Sequence, residues 1–136
     1  MIVADVNLIA YLTIQSEHSA LAEAAYARDA AWAAPLLWSS EFRNTLVACV
    51  RDCAVTVESA LLSLRLAEEI IGEREFAVAS ENVLRLARET QCSAYDCEYA
   101  ALAADLDVPL VTTDEQVLRA FPKTAVSLGR FARRRK

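Results

Sequence analysis

Residues 93–114 read SAYDCEYAALAADLDVPLVTTD, and this stretch predicts a helix, a buried strand and a closing acid in succession. Ser93 and Asp96 fit a capping box, in which a serine hydroxyl and a carboxylate three residues later satisfy backbone amides at a helix start. The β-branched residues within 108–112 then predict a buried strand. Asp114 follows that strand at the start of a further helix.

Strands and helices alternate along the rest of the chain as well. The sequence predicts strands at 2–4, 32–35, 75–78 and 125–128, and helices at 7–12, 18–31, 36–52, 57–71, 80–90 and 113–122. In the helix over 57–71, the spacing predicts an inward apolar face of Leu61, Leu62, Leu64 and Ile70, and Ser80 is expected to cap the next helix. Such alternation implies a parallel sheet with helices on both faces, which is the α/β class.

Composition indicates one compact domain with a charged end. The chain has 136 residues, of which 55% are hydrophobic and 24% charged, with only 2 Gly and 3 Pro. We predict a domain over residues 1–129 and a flexible basic tail over 130–136. The tail carries +5 and the whole chain −5, so the remainder carries −10. The tail either attracts phosphate without sequence preference or is simply a solvated end.

The start of the chain and its thiols bear on the cellular compartment. Neither a basic leader nor a long apolar stretch occurs, so we expect no signal peptide, no membrane span and a cytoplasmic location. The four cysteines are expected to be reduced and partly buried.

Four acids stand at related places in the predicted fold. Asp5 and Asp114 follow the two strongest strand candidates, and ligands of parallel sheets bind beyond the carboxyl ends of the strands. Asp96 is expected in the first turn of a helix, and Glu41 near the start of the helix after the second strand. We therefore expect the four acids to converge on one rim of the sheet.

Four carboxylates packed together repel one another and stay ionised only if cations lie among them. Ligands made of oxygen alone favour Mg²⁺ or Mn²⁺ over zinc, and two such ions are the catalysts of two-metal nucleases. Three of the acids also have simpler interpretations: Asp96 as a capping carboxylate, Asp114 as a charge on the helix dipole, and Glu41 as an exposed helix residue. Asp5 closes an apolar strand and needs a partner or an ion if it is buried. Only the pattern as a whole favours a site.

Three segments together form a recognisable pattern: Val3-Ala4-Asp5-Val6-Asn7, then Ser39-Ser40-Glu41-Phe42-Arg43-Asn44, and finally residues 93–103 leading to Pro109-Leu110-Val111-Thr112-Thr113-Asp114. This pattern resembles the PIN domain family, in particular the VapC-type toxins. The resemblance spans nearly the whole chain. It implies a three-layer α/β/α sandwich with a central, mainly parallel sheet.

The resemblance also implies site residues. The acidic metal positions, for Mg²⁺ or Mn²⁺, are Asp5, Glu41, Asp96 and Asp114. Asn7 and Thr112 are similar to polar residues that support metal-bound water or RNA, whereas Val6 departs from the Ser or Thr often found there. Helix geometry turns Glu98 away from Asp96, so it is left outside the site. Glu115 either joins the site or, as we expect, forms a capping box with Thr112.

The function that the resemblance implies is endoribonuclease activity leaving a 5′-phosphate and a 3′-hydroxyl. It also implies homodimerisation through helical faces and a cognate antitoxin in an apolar groove near the helical hairpin of residues 36–71. Two alternatives remain: a non-catalytic binding module with the PIN fold, and an aspartyl-nucleophile phosphatase. The phosphatase would need a second aspartate where Asn7 stands, together with a downstream lysine.

Overall fold

A computed structural model describes residues 1–133, which form five strands and eight helices. The strands are β1 (Ile2–Ala4), β2 (Trp32–Pro35), β3 (Glu75–Phe76), β4 (Leu110–Thr112) and β5 (Ala125–Ser127). The helices are α1 (Val6–Thr13), α2 (Ser19–Arg28), α3 (Trp38–Arg51), α4 (Val57–Ile71), α5 (Ser80–Glu89), α6 (Ala94–Leu106), α7 (Glu115–Ala120) and α8 (Leu128–Arg133).

The strands form one parallel sheet in the order β3-β2-β1-β4-β5. Val3 in the central strand pairs with Ala33 on one side and with Leu110 on the other. The chain winds from β1 towards β3 on one side, then crosses to β4 and β5 on the other side. The change of direction leaves a topological switch point between β1 and β4, the place where parallel sheets bind ligands.

Helices cover both faces of the sheet, so the fold is a three-layer α/β/α sandwich and the predicted class is confirmed. Helices α1, α2, α4 and α8 pack together in one layer, while α5 and α6 pack against each other and α6 contacts β1, β2 and β4. All residues of β1, β2 and β4 are buried, as expected for central strands covered on both faces. This rigid centre fixes the strand ends on which the acids lie.

The bounds of α4 agree with the prediction, but the predicted inner face is only partly correct, because Leu64 and Ile70 pack against the core whereas Leu61 and Leu62 do not. The helix buries Ala60, Ser63, Ala67 and Ile71. Leucines 61 and 62, which were expected in the core, are 48% and 59% exposed. Helical spacing fits either face, and the small residues allow close approach to the neighbouring layer. An apolar surface therefore remains on the outside of α4.

Two helix ends also differ from the sequence prediction. Ser80 is the first helical residue of α5 rather than its cap, because Ala79 holds the N-cap position. Helix α2 ends at Arg28, since the backbone of Asp29 is extended and leads into β2. The predicted cap at Ser93 is confirmed, because its hydroxyl accepts from the amide of Asp96 at 3.1 Å.

The prediction of a flexible tail is wrong for residues 130–133, and the domain extends beyond residue 129. These residues belong to α8, whose Phe131 is buried. The Arg28 guanidinium donates to the Phe131 carbonyl at 2.6 Å and lies 4.5 Å from the centre of its ring. The part of the predicted tail at 134–136 lies outside the described residues.

Two further findings concern membranes and thiols. Over residues 1–133, no helix combines the length and the apolar character needed to cross a bilayer. All four cysteines are free; Cys92 and Cys97 are buried, Cys49 is partly buried, and Cys53 is exposed.

Gly72→Ala should destabilise the protein by about 1–3 kcal/mol, because Gly72 ends α4 at φ +56° and ψ −128°, a conformation that strains other residues. Space is not the obstacle, since an added Cβ would lie 3.7 Å from the Glu69 carbonyl oxygen. Gly129→Ala in α8 is the control and should stabilise by about 0.4–1 kcal/mol. Urea unfolding measures both; equal effects would contradict the argument.

Candidate active site

Four acids from distant parts of the sequence meet at the carboxyl edge of the sheet. Asp5 directly follows β1, Asp114 follows β4, Glu41 lies in the first turn of α3, and Asp96 lies in the first turn of α6. Their charges repel one another. The charges of Asp96 and Asp114 raise the pKa of Asp5, and the charges of Asp5 and Asp96 raise the pKa of Glu41. The structure therefore brings the four predicted residues together at the switch point.

Thr112 joins two of these acids. Its hydroxyl donates to Asp5 Oδ2 at 2.6 Å and accepts from the backbone amide of Asp114 at 3.0 Å. Thr112 is fully buried, so this hydroxyl cannot exchange its partners for water. Asp114 in turn caps α7, because its Oδ1 accepts from the Val117 amide at 3.1 Å. The last residue of β4 thus fixes the carboxylate that follows β1.

Asp96 is held by the start of α6. Its backbone amide donates to the Ser93 hydroxyl, and its carboxylate is hydrogen-bonded by the Ser93 backbone and side chain. Burial and repulsion from Asp114 raise the pKa of Asp96 above its usual range, and the Ser93 hydrogen bonds oppose that rise. The capping box thus orients this acid in the first turn.

Glu41 has a partner that the sequence analysis missed, Tyr99. The Tyr99 hydroxyl donates to Glu41 Oε1 at 2.7 Å, and the tyrosine is only 4% exposed. A usable signal was present, because Tyr99 lies three residues after Asp96 and so shares its helix face. The hydrogen bond itself joins α6 to α3, and helical spacing does not predict such a contact.

The acids are paired with neutral hydroxyls rather than with cations. Burial raises the pKa of both Asp5 and Glu41, and repulsion from neighbouring acids raises it further, while Thr112 and Tyr99 respectively oppose the shift. Every ion pair within residues 1–133 involves other acids. The rim therefore needs protons or external cations to neutralise it.

Two of the acids, Asp5 and Asp96, border a narrow crevice of about 180 Å³, including its open mouth. Its lining consists of Asp5, Asp96, Tyr99, Leu110, Thr112 and Val117. Among residues 1–133, no three or more His, Cys, Asp or Glu side chains are grouped so that they could hold a metal ion. Mg²⁺, however, keeps several waters and is often held by one or two carboxylates plus substrate phosphates. The oxygen donors present fit a site of that kind.

Three other predicted positions lie apart from this crevice or beside it. Asn7 is exposed on α1, and the hydrogen bonds described for residues 1–133 do not join its side chain to the acids. Glu98 is not among the residues that line the crevice, yet its charge adds to the repulsion on Glu41. The capping box predicted for Glu115 is wrong, because Asp114 is the cap and Glu115 lies 3.8 Å from the Arg119 guanidinium.

Without metal, the protein should become more stable as the pH falls, and Asp5 should contribute to the gain. Folding raises the pKa of Asp5 above 3.8, so the folded state holds that proton more tightly than the unfolded chain. This stabilisation is fully present below pH 3.8 and is lost as the pH rises through the raised pKa. Urea unfolding in chelator should show a smaller pH-dependent gain for Asp5→Asn than for wild type; identical profiles would contradict the prediction.

Comparison with known proteins supports the architecture. No protein-family model matches this chain, and no curated protein matches it either. The chain is similar to the crystal structure of PAE2754 from Pyrobaculum aerophilum, with a TM-score of 0.75 and 24% identity. The match covers 98% of this chain and 100% of the other. At this level of identity the likeness shows a shared fold, which for this chain is the three-layer α/β/α sandwich.

Proposed function

We propose that this chain is a Mg²⁺- or Mn²⁺-dependent endoribonuclease and the toxin of a toxin-antitoxin pair. The observation that carries the proposal is the meeting of four carboxylates at the switch point of the sheet, without a cationic side-chain partner within residues 1–133. Ion pairs, rather than repulsion, would be expected if these acids only stabilised the fold. The resemblance of residues 93–114 to PIN domains adds the reaction and the substrate class.

Each residue at the rim has a distinct task in this proposal. Asp5 and Asp96, which line the crevice, and Glu41 beside them would hold the cation directly or through bound water, and Asp114 would add negative charge. Thr112 holds Asp5 in place and links it to Asp114. A bound Mg²⁺ or Mn²⁺ supplies Lewis acidity and lowers the pKa of a coordinated water.

The charge of the rim makes substrate binding depend on the cation. The chain carries −5 overall, and an acidic crevice repels a phosphodiester. Phosphate oxygens of RNA are also natural ligands for the open positions of a magnesium ion. We therefore expect RNA and metal to bind together, each strengthening the binding of the other.

Incubating purified protein with total RNA tests the activity directly. Cleavage is expected with Mg²⁺ or Mn²⁺ and should be lost in excess chelator, because the phosphodiester then meets only uncompensated carboxylates. Mapping the ends should show a 5′-phosphate and a 3′-hydroxyl and would identify the RNA that is cut. Equal cleavage in chelator would refute the metal dependence, and RNA binding without cleavage would favour the non-catalytic module.

The partner proposed for the toxin is an antitoxin segment in the groove between α3 and α4. This groove offers about 720 Å³ of open space, and its lining is apolar except for Arg43 and Arg51. Val57 and Leu61 on its wall are 56% and 48% exposed. An apolar segment with flanking acidic residues would complement this surface. Homodimerisation through helical faces belongs to the same proposal, and light scattering on the purified protein tests it.

A further inference from the structure

Tyr99 is a buried polar residue at the site that has no role in the reaction proposed above. It lies on α6 one turn after Asp96, and its ring lines the crevice together with Asp5 and Asp96. Its hydroxyl reaches across to α3 and donates to Glu41 Oε1 at 2.7 Å. A buried phenol needs a hydrogen-bond partner, but here that partner is an acid of the rim and not a backbone carbonyl.

The hydrogen bond between Tyr99 and Glu41 mainly restricts Glu41, whose side chain is the more flexible of the two. A glutamate side chain loses much rotamer freedom when it is fixed, whereas tyrosine rotates about only two bonds and is already packed. Helix α6 is itself held against β1, β2 and β4. The hydrogen bond from Tyr99 therefore fixes the Glu41 side chain relative to the sheet.

The hydrogen bond also leaves the carboxylate able to bind a cation. An ionised carboxylate offers about four lone-pair positions, and the Tyr99 hydroxyl occupies one of them. Because the phenol is neutral, it orients Glu41 without cancelling the charge of the carboxylate. An arginine or lysine in its place would cancel that charge. Glu41 thus keeps free lone pairs for a cation and is held at a fixed place beside Asp5 and Asp96.

We propose that Tyr99 is a positioning residue that holds Glu41 in the orientation needed to bind a divalent cation at the rim. The inference rests on the proposed function, since it assigns Tyr99 a role at the same metal site. Tyr99 itself contacts neither the cation nor the RNA in this proposal.

Thermal unfolding of the full chain at increasing Mn²⁺ concentration tests the inference, because an ion that binds only the folded state raises its melting temperature. Tyr99→Phe keeps the ring and removes the hydroxyl, so the Mn²⁺ dissociation constant obtained from the rise in melting temperature should increase on the order of tenfold, or about 1.4 kcal/mol. Tyr26→Phe is the matched control. Tyr26 lies on α2 and packs against Trp32 at the start of β2, away from the carboxyl edge of the sheet, and its loss of the hydroxyl should leave the dissociation constant unchanged.

The outcomes separate this inference from the proposed function. If wild type gains no stability from Mn²⁺, the metal site is absent and both proposals are overturned. If wild type responds and Tyr99→Phe has the same Mn²⁺ dissociation constant, only the positioning role is overturned, even if the variant melts earlier in chelator. Should Tyr99→Phe not fold, a crystal structure of wild type with Mn²⁺ decides: Glu41 should bind the ion while still bonded to Tyr99, and a Glu41 that leaves Tyr99 overturns the inference.

Discussion

Asp5→Asn should lower the rate of RNA cleavage on the order of 10³-fold while the fold stays intact. The reason is that Asp5 stands at the centre of the rim, next to β4 and within reach of the charges of Asp96 and Asp114. An amide accepts the Thr112 hydrogen bond but cannot supply the negative charge that a divalent cation requires. Losses of 10²–10³-fold are typical when one electrostatic contributor to a transition state is removed.

The same substitution should leave metal-free stability unchanged or increase it at neutral pH. Burial and repulsion disfavour the charged form of Asp5, and an asparagine avoids both. Circular dichroism and melting in chelator measure this effect. Asp105→Asn is the matched control, because Asp105 is exposed near the opposite end of α6 and its substitution should change neither activity nor stability. Full activity of Asp5→Asn would remove Asp5 from the site.

Phe42→Ala should cost about 3–5 kcal/mol of the free energy of unfolding, as is usual when a buried phenylalanine is truncated. Phe42 is fully buried on α3, and its ring centre lies 6.1 Å from that of Trp38. Domains of this kind have only about 5–15 kcal/mol in total, so much of the folded population would be lost on mild heating.

Phe42 also follows Glu41 directly, and this links the stability of α3 to the site. Phe42→Leu fills most of the space and should cost clearly less than Phe42→Ala. Urea unfolding of both variants measures the difference. A loss below about 1 kcal/mol for Phe42→Ala would mean that the surrounding side chains collapse into the space and that this part of the core is adaptable.

Much of the fold could be predicted from local signals in the sequence. The predicted bounds of β2 and α4 agree with the structure, since Pro35 and Gly72 stand where these elements end. The meeting of acids at one edge follows from parallel topology, because the carboxyl ends of neighbouring parallel strands lie on the same side. Asp5 and Asp114 could be located in this way before any coordinates.

The remaining features depend on contacts between distant residues. The inner face of α4 is made of small residues because a neighbouring layer approaches closely, and helical spacing cannot show which side that layer occupies. The bond from Tyr99 to Glu41 joins two helices 58 residues apart. Residues 130–133 of α8 were predicted to be part of a tail because arginines are frequent there. The single buried residue Phe131 was too weak a signal to indicate a packed helix.

The hydroxyl bridge from Thr112 to Asp5 spans 107 residues, so the two ends of the domain must come together before the rim exists. A polypeptide still emerging from the ribosome would already contain Asp5, Glu41 and then Asp96. It would still lack β4, the strand that lies beside β1 and orients Asp5 through Thr112. Synthesis of β4 and its closing Asp114 therefore completes the acidic centre late, after most of the polypeptide has been made.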